Sequence, residues 1–89
     1  MSVSDFIDAL QVESGVTYTD EVKTEIASVV RRVQKDQWIH IEHFRTICNK
    51  LCDICLFPEY IFSAFEKNGY KMGFYIDSYE IWLNENDYY

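Results

Sequence analysis

The chain has 89 residues, 48% hydrophobic and 17% aromatic, and a formal charge of −7. A chain this short has material for one core, burying roughly 60% of its unfolded surface, and its composition is unlike that of a disordered segment. The acidic balance repels nucleic acid at long range and favours basic partners.

The charge is unevenly spread. Residues 31–50 carry Arg31, Arg32, Lys35, Arg45 and Lys50 against Asp36 and Glu42, a local balance of +3, which leaves −10 for the rest. From Asp77 to Tyr89 there are Asp77, Glu80, Glu85 and Asp87 and no base. The opening MSVSDFIDAL has no basic stretch followed by an apolar run, and no segment reaches the ~20 apolar residues that span a bilayer. Those features predict a cytoplasmic protein with no membrane partner.

Phe6, Ile7 and Leu10 share a helical stripe behind a Ser4 cap, with Asp5 and Asp8 in the first turn and Gly15 as the stop, which predicts a first helix from Ser4 to Glu13. A second helix is expected from Thr19, where Val22, Ile26, Val29, Val30 and Val33 follow a 3.6-residue period, to an end near Lys35. Trp38 to Ile41 is a short β-prone run and predicts a strand. Apolar positions from Phe44 to Cys55 are spaced by threes and fours, predicting a helix from Glu42 to Cys55. Pro58 suits the first turn of the next helix, which carries Ile61, Phe62, Ala64 and Phe65 and stops at Asn68-Gly69. Tyr70 to Leu83 is rich in β-formers around Asp77-Ser78 and predicts a hairpin, with a helix starting at Asp77 as the competing reading. Asn84 to Tyr89 reads as an acidic aromatic tail.

The expected fold class is α+β, mostly helical: helix, helix, short strand, helix, helix, C-terminal hairpin, in one domain spanning 1–89. From Thr19 to Leu83 this order resembles the winged-helix family. The resemblance implies that Glu42 to Cys55 and Pro58 to Asn68 form a helix-turn-helix, the latter as recognition helix, with a wing near Phe74 to Tyr79 and an extra helix at residues 1–15.

Cys48, Cys52 and Cys55 read C-x3-C-x2-C, a spacing that looks like the radical-SAM motif, whose three thiolates hold an iron–sulfur cluster. Here the spacing follows Phe44, Ile47 and Leu51 along one helical face, so the cysteines are expected to pack as small hydrophobes. An odd, clustered number is no secreted disulfide framework. Zinc held by these thiols with His40 or His43 lacks a paired C-x2-C knuckle. No metal and no cofactor are expected. His40 and His43 have no nucleophile to activate, and Gly15, Gly69 and Gly73 form no phosphate loop, so an enzyme is not expected.

Two surfaces remain. Asp77, Tyr79, Glu80, Trp82, Glu85, Asp87, Tyr88 and Tyr89 combine carboxylates with aromatic anchors, a set that could meet a basic groove or imitate phosphate charges. Arg31, Arg32, Lys35, Arg45 and Lys50 form the alternative, a phosphate-facing patch. The presumed recognition helix has Lys67 as its only base against Glu59 and Glu66, and no arginine to read guanine. The first expectation is therefore a non-catalytic acidic module, an inhibitor or regulatory subunit that docks on a basic surface of a larger protein or nucleic-acid machine. A winged-helix transcription regulator and a structural homo-oligomer are the alternatives.

Overall fold

The structure is a computed structural model that describes residues 3–51, 54 and 57–85. Its described residues are mostly helical with one small sheet: α1 (Val3–Ser14), α2 (Asp20–Val30), β1 (Trp38–Ile39), α3 (Ile41–Leu51), α4 (Pro58–Lys67), β2 (Lys71–Met72) and α5 (Ile76–Glu85). No described helix is long and apolar enough to cross a membrane.

The first four helices follow the apolar spacing. Phe6, Ile7 and Leu10 of α1 are buried, and Gly15 adopts φ 70° as its amide bonds the Gln11 carbonyl, the left-handed stop that glycine allows. Ser4 lies inside α1, not at its cap. Thr19 caps α2, its hydroxyl accepting from the Val22 amide at 3.3 Å. That helix ends at Val30, short of the expected stop near Lys35. Amides of Arg32 and Val33 bond back only three residues, to Val29 and Val30, tightening the end and turning Val33 into the core.

Phe44, Ile47, Cys48 and Leu51 form the buried face of α3. The expected extension of this helix to Cys55 falls partly on Cys52, Asp53 and Cys55, which lie outside the described residues, as does any role of Cys52 and Cys55.

The Phe65–Tyr70 corner closes α4 through a Schellman arrangement. The Tyr70 amide bonds the Phe65 carbonyl at 3.0 Å, the Gly69 amide bonds Glu66 at 3.1 Å, and the Phe65 and Tyr70 rings meet edge-on at 5.0 Å. Burial pushes the Tyr70 phenol above its ordinary pKa. Gly69 sits at φ +83°, and a Cβ there would meet only the flexible end of Lys35, at 3.4 Å. Backbone strain, not crowding, thus sets the penalty for a side chain: Gly69→Ala is expected to lower stability by ~1–2 kcal/mol in urea denaturation.

The predicted C-terminal hairpin is not formed. β2 pairs with β1 in parallel, Trp38 opposite Lys71 and Ile39 opposite Met72, and the Gly73 amide extends the ladder to the Ile39 carbonyl at 2.9 Å. Parallel partners need a crossover, here supplied by α3 and α4. Ile76–Glu85 then forms α5, so the region expected to carry a wing, Phe74 to Tyr79, is a loop entering a helix. The β-propensity of Tyr79, Ile81 and Trp82 yields to packing, because helical spacing lets Tyr79 reach the core.

One set of buried residues joins all the helices. On one side Phe6 of α1 meets Phe65 of α4 at 4.5 Å between ring centroids. On the other, Phe44 of α3 contacts Phe62 at 6.0 Å, Phe74 at 5.1 Å and Tyr79 at 5.1 Å. Edge-to-face and tilted pairs at such distances add to simple area burial.

Candidate functional site

α5 presents two faces. Tyr79 is buried against Phe44 and Phe74 and stacks on the half-buried Trp82 at 6.4 Å. Ile76, Tyr79, Glu80 and Leu83, at i, i+3, i+4 and i+7, line a groove that runs to the first turn of α4. The other wall is Phe57, Pro58 and Glu59. Pro58 fixes this wall: it occupies the first turn of α4, behind an extended Phe57 that makes no side-chain cap bond. Phe57 is left 62% exposed.

The groove has a volume of about 330 Å³. Its lining is polar and apolar in about equal measure: Phe57, Pro58, Ile76, Tyr79 and Leu83 contribute apolar surface, and the charged groups are Glu59, Asp77 and Glu80 with no base among the lining residues. Glu59 and Asp77 each stand in the first turn of their helix, where the helix dipole stabilises a carboxylate. The arrangement offers apolar contact framed by negative charge, and among the described residues no group of three or more His, Cys, Asp or Glu is placed to hold a metal.

Of the residues expected to bind a partner, Asp77, Tyr79 and Glu80 meet in this groove. Trp82 stacks on Tyr79 and is not among the residues lining the groove. Glu85 is exposed at the end of α5, and Asp87, Tyr88 and Tyr89 lie outside the described residues. Sequence reasoning missed the α4 wall and the Ile76–Leu83 stripe. The three-and-four spacing of Ile76, Tyr79 and Leu83 was the available signal.

The alternative basic patch is divided. Arg32 and Lys50 converge with His43 on a small groove of about 100 Å³ between the end of α2 and α3, over Val29, Val33 and Ile47. Arg31 lines a different groove with Asp8 and Asp20, Lys35 lies over Gly69, and Arg45 is half-buried. The presumed recognition helix α4 buries Ile61, Phe62, Ala64 and Phe65. Its only base, Lys67, ion-pairs with Glu13 of α1.

No protein-family model matches the chain, and no curated protein or solved structure matches it either.

Proposed function

We propose that the chain is a non-catalytic, cytoplasmic protein-binding module, an inhibitor or regulatory subunit that docks its α4–α5 groove on a basic surface of a larger protein or nucleic-acid machine. The observation that carries this reading is the convergence of Asp77, Tyr79 and Glu80 with Phe57 and Glu59 at the start of α4, which sets apolar side chains beside carboxylates with no base among the lining residues. An interface of this kind gains contact energy from a few apolar anchors and its selectivity and association rate from charge. An acidic decoy of the kind mobile elements encode would fit the same description.

A DNA-binding winged helix is the second reading. The order α2, β1, α3, α4 and the meeting of Arg32 with Lys50 favour it. Against it stand the ion-paired Lys67, the carboxylates Glu59 and Glu66 on the exposed part of α4, and a helix where a wing would be.

Affinity capture from native lysate, with and without nuclease, separates the readings. A basic protein retained after nuclease treatment, and lost when Asp77 and Glu80 are changed to Lys, is the expected result. Retention only with nucleic acid intact would move the assignment to the DNA reading. A mass above one chain in light scattering of the purified protein would favour the homo-oligomer.

A further inference from the structure

We infer that the segment received by the α4–α5 groove is an amphipathic basic helix, with apolar side chains one turn apart entering the groove and lysines or arginines beside them. This rests on the protein-binding reading and specifies the form of its partner.

The form follows from what the groove offers. Strand addition needs a sheet edge with several free backbone groups, and β1 and β2 are two residues each. The groove instead lies along a helix, and its α5 wall repeats at the spacing a packed helix uses. α5 is also incompletely covered on this side: along the stripe Tyr79 is buried, Ile76 and Leu83 pack against the core but stay half-buried, and Glu80 is exposed. A second helix laid against it would cover the Ile76–Leu83 stripe. The volume of about 330 Å³ is at the low end for small-molecule sites, so it suits a few anchoring side chains better than a cofactor.

Charge selects the sign of the occupant. Docking any helix draws water away from Glu59, Asp77 and Glu80, and unpaired carboxylates there would oppose binding. Cationic side chains flanking the anchors offset that cost and steer the encounter. An acidic helix would be repelled.

The test titrates the full chain with three synthetic 18-residue peptides while recording amide chemical shifts and the affinity. The first places leucines on one helical face and lysines on the other; the second replaces the leucines by serine; the third replaces the lysines by glutamate. The expected result is binding of the first peptide with shifts centred on Phe57, Ile76, Glu80 and Leu83. The serine peptide should bind at least about tenfold more weakly, the equivalent of ~1.4 kcal/mol, and the glutamate peptide not at all. Changing Glu59, Asp77 and Glu80 together to their amides should weaken the first peptide, whereas Arg32→Gln with Lys50→Gln should not. Equal binding of the leucine and serine peptides at these residues would overturn the helix inference and leave the acidic docking site standing. Shifts centred elsewhere, or no binding by any peptide, would overturn the inference, and shifts centred elsewhere would also remove the groove from the protein-binding reading.

Discussion

Phe44→Ala is expected to destabilise the protein by about 3–5 kcal/mol, the range for removing a large buried aromatic side chain. Phe44 has no exposed surface. Its ring is the shared contact of Phe62, Phe74 and Tyr79, so one truncation loosens α4, the loop after β2 and α5 together. Small domains have only ~5–15 kcal/mol in total, so the variant should lose much of its stability. A urea melt reads this as a fall in midpoint with the slope unchanged. An effect below about 1 kcal/mol would mean that the aromatic cluster is not the centre of this half of the core.

Replacing Asp77 and Glu80 by lysine, together with Glu59→Gln, should slow association with a basic partner by about ten- to a hundredfold at low ionic strength, and by less as salt is added. These residues supply all the charge lining the groove. The fold should survive, since Glu59 and Asp77 act on it mainly through the helix dipole, at ~0.3–1 kcal/mol each, and Glu80 is exposed. Stopped-flow association with the captured partner, alongside circular dichroism of the variant, checks both halves. Arg45→Gln with Lys50→Gln serves as the comparison and should leave the rate nearly unchanged. A loss of binding confined to that second pair would transfer the function to the basic side.

The helices up to Lys67 were legible because each is a single amphipathic stripe with local punctuation, such as Thr19, Gly15, Pro58 and Gly69. That information lies within a few residues of where it acts. The partner of β1 was not legible, because Trp38-Ile39 is too short to carry a register and its match, Lys71-Met72, lies beyond two helices. At α5 the hairpin expectation fails and the competing helix from Asp77 holds: Tyr79, Ile81 and Trp82 suit a pleated surface, and only contact with Phe44 and Phe74 makes the helical period pay. For the same reason composition pointed to Asp77, Tyr79 and Glu80, whereas Phe57, Pro58 and Glu59 needed the fold to bring α4 beside them.

The thin anchoring of α5 bears on how tightly any partner can hold on. A helix held by one buried residue and three half-buried ones is expected at the low end of a protein's spread of local opening free energies, where it would undock without global unfolding. Apparent affinity scales with the docked fraction, because only that fraction presents the complete groove. For a partner docked in that groove, residues outside its lining such as Trp82 and Phe74 would therefore set part of the binding constant by setting that population. Evolution or design could adjust affinity from the hidden side of α5 while the contact surface stayed the same.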